Sequence, residues 1–156
     1  MSFNTKNGTR GARQPGGRFL TLMNGFIARR IRRGGKLMGG TDGLVLTTIG
    51  RKSGEERSTP LVWFPGENRS WLIVASAAGA PRNPAWYYNI AAHPDQVRIE
   101  VAGRRIPVTA EQLHGPEREA AWRRIVQESA RFAKYQEQTD RELPVIRLTE
   151  RSAATS

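Results

Sequence analysis

Short apolar segments separated by turn residues predict a fold built mainly from β-strands. Leu44 to Ile49, for example, is an apolar and β-branched run, which is typical of a strand. Strands are predicted at 44–49, 59–64, 70–75, 96–101, 105–110 and 143–148. The turn at 65–68 should join the second and third of these strands, and Ala102-Gly103 should close a hairpin between the fourth and fifth.

Two predicted helices interrupt the strands. Asn83 suits the N-cap and Pro84 the first position of a helix that ends at His93-Pro94. A second helix, over residues 116–127, is amphipathic. We expect its inward-facing residues to be Trp122, Ile125 and Val126, and its solvent-facing residues to be Glu117, Arg118, Arg123 and Arg124. Strands and helices together predict an α+β fold, a small barrel with appended helices.

The ends of the chain differ in composition from this region. Residues 1–17 are polar, basic and rich in glycine, so a flexible basic tail is expected there. Residues 18–35 predict an amphipathic basic helix, residues 36–150 the barrel domain, and residues 151–156 a polar tail. With its apolar stripe and its arginines, the helix should either lie on an anionic membrane surface or cap the barrel while binding an anionic ligand.

Charge and composition limit the kinds of partner and of active site that the chain can have. The 156 residues have a formal net charge of +11, which indicates an anionic partner such as nucleic acid, a membrane surface or a small polyanion. The absence of cysteine excludes disulfides, thiolate metal sites and nucleophilic thiols. His93 and His114 both adjoin turns, so no metal site is predicted. Neither a membrane-spanning run nor a signal peptide is recognisable, so a cytoplasmic location is expected.

The turn after the first strand is a candidate anion-binding site. Gly50 and Gly54 permit a backbone conformation in which N–H groups converge, and Arg51, Lys52 and Arg57 add positive charge. Each charge-assisted hydrogen bond to a phosphate is worth roughly 1.5 to 3 kcal/mol. The alternative is an ordinary solvated hairpin turn, because glycine and lysine are common turn residues.

A candidate aromatic platform follows about twenty residues later in the chain. Residues 75–80 are all small, so a flat ring could approach the backbone there, and Trp86 and Tyr87 come shortly afterwards. An anion-binding turn beside an aromatic platform suggests a flat cofactor that contains a phosphate. The alternative is that Trp86 is a core residue that closes the barrel.

Three segments at this spacing, LVLTTIGRKSGEERSTPL, IVASAAGAPRNPAWYYNI and KYQEQTDRELPVI, resemble the deazaflavin-dependent nitroreductase family. Members of that family are split β-barrel reductases that use coenzyme F420 (8-hydroxy-5-deazaflavin). The resemblance therefore implies a split β-barrel of six or so mainly antiparallel strands, binding F420 over residues 40–150. Related barrels often pair, so a homodimer is one expectation.

The resemblance also implies site residues. By resemblance, Pro60, Leu61, Ser76 and Trp86 would line the deazaflavin ring, and Arg51, Lys52, Ser53 and Arg57 would bind the phosphate. Gly50 in the turn and Ala77 in the small-residue loop complete the ten predicted cofactor-binding residues. The acceptor pocket would contain Ser129, Phe132 and Tyr135, where prodrug-activating relatives have three tyrosines. Tyr135 is thus the one remaining ring hydroxyl, a candidate to orient the acceptor or to donate a proton to it. This departure puts nitroimidazole reduction in doubt.

The expected function is transfer of a hydride from reduced F420 to a hydrophobic acceptor, namely a quinone, an enone or a nitroaromatic. A deazaflavin supplies the hydride itself, so the protein needs no nucleophile or metal. Two alternatives stay open: a non-enzymatic basic barrel that binds nucleic acid, and a split-barrel oxidoreductase that uses FMN. Nucleic acid is the less expected partner, because much of the positive charge lies near the N-terminus.

Overall fold

Seven antiparallel strands form one curled sheet in the computed structural model, which describes residues 3–12 and 43–151. The strands are β1 (Gly43–Ile49), β2 (Glu56–Val62), β3 (Phe64–Pro65), β4 (Trp71–Val74), β5 (Val97–Val101), β6 (Arg104–Gln112) and β7 (Val145–Glu150). Their order across the sheet is β2-β1-β5-β6-β7-β4-β3. The two outermost strands are joined in the chain through Trp63 alone, so the sheet must curl until its edges meet. The predicted α+β split barrel is confirmed, with seven described strands rather than six.

The strand pairing near residue 60 corrects one predicted hairpin. Residues 56–62 pair with β1, in a register that runs from Gly43 opposite Val62 to Ile49 opposite Glu56. The predicted strand at 59–64 therefore begins earlier and breaks at Trp63. Of the residues in this region, only Phe64–Pro65 pairs with β4. The expected hairpin between 59–64 and 70–75 is therefore reduced to two residues. By contrast, Ala102 and Gly103 both have positive φ and close the predicted β5–β6 hairpin.

Three α-helices lie on the described part of the barrel: α1 (Ala85–Ala92), α2 (Gly115–Glu128) and α3 (Ala130–Gln138). Helix α1 was predicted, but its N-cap is Pro84, while the Asn83 side chain bonds to Thr5 and Arg141 instead. Helix α2 was also predicted, although Arg118 is 5% exposed rather than facing water. Helix α3 was not predicted, and a single residue in an extended conformation, Ser129, separates it from α2.

The apolar side chains form two clusters on opposite faces of the sheet. One fills the barrel and includes Leu46, Ile73, Trp86 and Ile99. The other lies between the sheet and helices α2 and α3, and its fully or nearly fully buried members are Phe64, Leu72, Val74, Leu113, Ala121, Ile125, Phe132, Leu143 and Val145. Helix α1 thus belongs to the barrel interior, whereas α3 belongs to the outer cluster.

Residues 3–12 lie against the barrel as an extended segment. The Thr5 N–H donates to the Tyr87 hydroxyl, Gly8 N–H donates to the Pro81 carbonyl, and the Thr9 N–H and hydroxyl donate to Asp140. A flexible tail was expected here, whereas the structure has these hydrogen bonds. The composition of residues 1–17 gives no sign of hydrogen-bond partners more than 70 residues away in the chain. The predicted helix at 18–35 lies outside the described residues. None of the helices in the described ranges is long and apolar enough to cross a membrane.

Candidate functional site

A cavity of about 700 Å³ opens between the β1–β2 turn and helix α1. Its lining residues are Gly50, Arg51, Lys52, Ser53, Arg57, Ser58, Thr59, Ala85, Trp86 and Asn89. The cavity thus brings together two sequence features that are more than thirty residues apart, the glycine-flanked basic turn and the aromatic helix. Six of the ten residues predicted for cofactor binding lie in this wall.

The turn is a compact loop closed by its own backbone. Gly50 N–H donates to the Glu55 carbonyl over 2.7 Å, and Gly54, at φ +72°, donates to the Gly50 carbonyl over 2.8 Å. The Ser53 hydroxyl accepts from the Glu55 N–H over 3.2 Å. A left-handed residue is needed to close this loop, and glycine adopts that conformation without steric cost.

The cations of the turn are exposed and only weakly paired. Arg51, Lys52 and Arg57 all project from an exposed segment. Arg57 lies 3.5 Å from Glu55, but both side chains are more than half exposed, so solvent screens this ion pair strongly. The three cations are therefore available to an anionic ligand, and little existing structure has to be broken when one binds.

Asn89 connects the two walls, and sequence analysis missed it. Its side-chain oxygen accepts from the Arg51 N–H over 3.1 Å, and its amide nitrogen donates to the Thr48 hydroxyl over 3.3 Å. Asn89 is 7% exposed, so these bonds fix the start of the turn against helix α1. The Arg51 guanidinium also lies 4.7 Å from the centre of the Tyr88 ring. Asn89 follows Trp86 by three residues, which places both on one helical face, and this spacing is the signal in the sequence that would have identified Asn89.

Trp86 has two roles in this geometry. It is 7% exposed and belongs to the cluster that fills the barrel, as the core interpretation expected. It also lines the cavity opposite the basic turn. The two interpretations of this residue are therefore compatible, because one face of a large ring can pack while another borders the cavity.

The other implied cofactor residues lie outside the described lining of the cavity. Pro60 and Leu61 are half-buried on β2, paired with Val45 and Leu44. Ser76 and Ala77 are half-buried in the loop that leaves β4. Ser58 and Thr59, which line the cavity, were not among the predicted residues. Cofactor contacts at Pro60, Leu61, Ser76 and Ala77 stay predictions.

The implied acceptor residues lie at the start of and along α3, away from the described lining of the cavity. Phe132 is 7% exposed and packs edge-to-face with Phe64 and Tyr135, at ring-centre distances of 5.6 Å each. Tyr135 is half-buried, and Ser129 precedes the helix in an extended conformation. An acceptor pocket at these residues stays a prediction.

The segment after α3 anchors the N-terminal residues through a carboxylate. Hydrogen bonds from the Thr9 side chain and from the Thr9 and Arg10 N–H groups lower the pKa of Asp140 to about 2. The Thr139 hydroxyl donates to the Arg10 carbonyl over 2.7 Å. Sequence analysis had no signal for this pairing, because the partners are about 130 residues apart.

The chemistry of the cavity fits an anionic, flat ligand such as F420. Cations and a serine hydroxyl line one side for a phosphate, and Ala85 and Trp86 provide an apolar surface for a ring. Over the described residues, there is no group of three or more histidine, aspartate or glutamate side chains placed to hold a metal ion. The residues present therefore suit an organic anion.

The chain matches a known protein family over most of its length. The sequence model of the family described as F420H2-dependent quinone reductase matches residues 24–150. An F420H2-dependent quinone reductase of Mycobacterium tuberculosis is 39% identical over 123 residues, which cover 77% of this chain and 81% of that protein.

Two solved structures resemble the chain as well. One, an F420-H2-dependent reductase, is 38% identical with a TM-score of 0.62, covering 69% of this chain and 94% of its own. The other, described as a domain-swapped dimer, is 32% identical with a TM-score of 0.63, covering 83% of this chain and 95% of its own. Family match, relatives and fold agree, and the chain belongs to the F420H2-dependent quinone reductase family as an oxidoreductase that uses coenzyme F420.

Proposed function

We propose that this protein reduces a quinone, or a related hydrophobic acceptor such as an enone or a nitroaromatic, with F420 held in the cavity between the β1–β2 turn and α1. The observation that supports this proposal most directly is that the basic turn and Trp86 line one cavity. A quinone is the favoured acceptor, because a relative 39% identical is named a quinone reductase. Family membership favours F420 over the FMN and nucleic-acid alternatives.

In this proposal the protein binds the cofactor and orients the acceptor, and the cofactor provides the chemistry. Reduced F420 supplies the hydride. Arg51, Lys52 and Arg57 bind the phosphate and the anionic tail, with Ser53 donating an additional hydrogen bond. Asn89 holds the backbone of the turn in the conformation that binds. Trp86 limits the position of the ring and excludes water from one of its faces.

The acceptor side of the proposal depends on Tyr135. A phenol can donate a hydrogen bond to a carbonyl oxygen, and it can deliver a proton as negative charge develops there. A phenol is only a modest acid, so orientation of the acceptor is the larger expected contribution. Phe132 contributes shape to this region through its contact with Tyr135.

The decisive experiment measures oxidation of reduced F420 under anaerobic conditions with four acceptors in parallel: a naphthoquinone, a benzoquinone, a cyclic enone and a nitroaromatic. We expect the quinones to have the highest kcat/KM. A protein that oxidises F420H2 only with the enone or the nitroaromatic would exclude quinone specificity. Competition with FMN in the same assay measures cofactor choice, and displacement of F420 by FMN would support the FMN alternative.

A homodimer is a second part of the proposal. Its support is the solved neighbour described as a domain-swapped dimer, which this chain covers almost completely. Light scattering coupled to gel filtration measures the mass directly. A mass near the 17.4 kDa of one chain at micromolar concentration would contradict a stable dimer.

Contact with the cytoplasmic face of a membrane stays a prediction about residues 18–35. Its support is the amphipathic basic pattern of that segment. Sedimentation with anionic liposomes, comparing the full chain with a version that starts at Gly39, measures it. Equal pelleting of the two forms would reject the prediction, and loss of F420 affinity on truncation would instead support binding of the cofactor's anionic tail.

A further inference from the structure

The loop between β4 and α1 holds a conformation that most residues avoid. Ala77, Ala78 and Gly79 have φ values of 45°, 55° and 82°, so three successive residues lie in the left-handed region. That region is unfavourable for alanine, because its Cβ approaches the backbone too closely. Such a conformation persists only where surrounding contacts impose it.

Arg141 is bonded to the loop on both sides of these three residues. It is 2% exposed, and all five of its guanidinium N–H groups donate. The acceptors are the carbonyls of Ala75 (2.8 Å), Ser76 (2.8 Å) and Ala80 (3.0 and 3.2 Å) and the side-chain oxygen of Asn83 (2.6 Å). One side chain thus fixes the loop at its beginning, its middle and its end.

The acceptors explain why an arginine is needed here. Among the described residues, every hydrogen-bond acceptor of Arg141 is a neutral oxygen, so the buried cation depends on the number of its bonds. A lysine has three donors on one nitrogen, and it cannot span carbonyls on both sides of the loop. Burial also lowers the pKa of Arg141 from its ordinary value.

Two further elements, helix α3 and the N-terminal segment, contact the same loop. A Cβ on Gly79 would lie 2.8 Å from the Tyr135 carbonyl, so α3 packs directly on the loop backbone. On another side, Ala12 N–H donates to the Gly79 carbonyl over 3.0 Å. The loop is therefore held by Arg141, by α3 and by the N-terminal segment together.

The loop leads directly into helix α1, which supplies Trp86 and Asn89 to the cavity wall. We propose that Arg141 is a positioning residue of the cofactor site: it fixes residues 75–83, and through them the placement of Ser76 and of helix α1 against the basic turn. This inference rests on the proposed binding of F420 in that cavity. Arg141 itself is buried beneath the loop and acts through it.

The test compares Arg141→Lys and Arg141→Met with Arg118→Met as a matched control. Arg118 is also a buried arginine that donates to a backbone carbonyl, but its bonds go to Leu143 and Glu119. Three quantities are measured for each variant: the thermal midpoint, the Kd for F420, and the hydrogen-exchange rate of the amides at 76–80 without cofactor.

We expect Arg141→Lys to raise the Kd for F420 about tenfold and to accelerate amide exchange at 76–80 by a similar factor. Arg141→Met should have a larger effect on both, so lysine gives partial rescue. Arg118→Met should lower the thermal midpoint while changing the Kd and the exchange of the loop less than about twofold. Should Arg141→Met fail to fold, Asn83→Ala replaces it, with an expected change of about threefold.

An Arg141→Lys protein that melts earlier but binds F420 within about twofold of wild type would overturn the proposal, since the role of Arg141 would then be stability alone. Loop exchange that is unchanged in both Arg141 variants would overturn it as well. Failure of the wild-type protein to bind F420 would reject the proposed function and the cofactor part of this inference, while the exchange rates would still report whether Arg141 fixes the loop.

Discussion

The β1–β2 turn and helix α3 differ in how accessible their side chains are to a ligand. On one side, the β1–β2 turn presents three cations that are exposed and weakly paired. On the other, Phe132 on α3 is one of nine buried residues of the outer cluster, and Tyr135 packs against it. Both sides were expected from the sequence to contact small molecules, but the cavity beside helix α1 is lined by residues of the first side and by none of Ser129, Phe132 or Tyr135.

The difference distinguishes residues that contribute mainly to ligand affinity from residues that contribute mainly to the stability of the fold. An exposed cation makes few contacts in the folded protein, so its removal should change affinity and leave stability almost unaltered. A buried phenylalanine makes many contacts, so its removal should change stability first. Substitutions on each side should therefore change different quantities, affinity on the first and stability on the second.

The largest effect is expected for Phe132→Ala. Removing a ring that is 7% exposed leaves a cavity between the sheet and α3, and such substitutions cost about 3–5 kcal/mol. Urea unfolding measures the loss. The Kd for F420 of the folded protein should stay within about twofold of wild type. A variant of nearly normal stability with a much higher KM for the acceptor would instead place Phe132 in the acceptor pocket.

The second effect is loss of cofactor affinity on replacing Lys52 and Arg57 together with alanine. The Kd for F420 should rise at least tenfold, which corresponds to about 1.4 kcal/mol, because two charge-assisted contacts to the phosphate and tail are removed. The thermal midpoint should shift by less than about 2 °C. Fluorescence titration and thermal melting measure the two quantities.

The matched control for that variant replaces Arg123 and Arg124 on α2, which are also exposed, with alanine. It removes the same charge from a different surface. If both double variants weaken F420 binding equally, general attraction by the net charge of +11 would explain the affinity, and the turn would be an ordinary solvated hairpin.

A smaller effect is expected for Tyr135→Phe. If the hydroxyl orients or protonates the acceptor, kcat/KM should fall by about three- to tenfold while the Kd for F420 is unchanged. The ring and its contact with Phe132 are preserved, so stability should be close to wild type. Full activity would leave proton delivery to water, whereas equal loss of cofactor binding would show that Tyr135 packs the barrel.

The smallest effect concerns pH and the N-terminal segment. Because the pKa of Asp140 is lowered from 3.8 to about 2, its contribution to stability is present above pH 3.8 and is lost as the pH falls toward 2. Asp140→Asn should remove this dependence. The protection factors of the Gly8 and Ala12 amides, which are exchange rates corrected for the intrinsic rate at each pH, should fall between pH 5 and pH 2.5 in the wild type and be low at all of these pH values in the variant.

Local patterns predicted most of this architecture. The strand at 44–49, the Ala102-Gly103 hairpin and the helix ending before His93 each depend on a few adjacent residues, and each was predicted. Helix α3 was missed because its nine residues include few apolar positions, so only the tertiary cluster identifies it.

Long-range polar contacts could not be predicted. Asn83 looked like an N-cap, and Arg118 looked like a solvent-facing residue, because both assignments used only neighbouring residues. Their actual partners, Arg141 for Asn83 and Leu143 for Arg118, lie 25 or more positions away in the chain. For the candidate site, glycine and charge located the turn, but the contribution of Asn89 depends on how α1 packs against β1.

The N-terminal segment has a consequence for the order of assembly during synthesis. Thr9 leaves the ribosome 131 residues before Asp140, its hydrogen-bond partner, and Thr5 leaves 107 residues before Gln112. Residues 3–12 therefore have to wait for residues made more than 100 positions later, and they should dock only after most of the barrel has been synthesised. Contacts between such distant residues are slow to form. A nascent chain stalled before residue 139 should thus leave residues 3–12 accessible to protease, and synthesis past residue 151 should protect them.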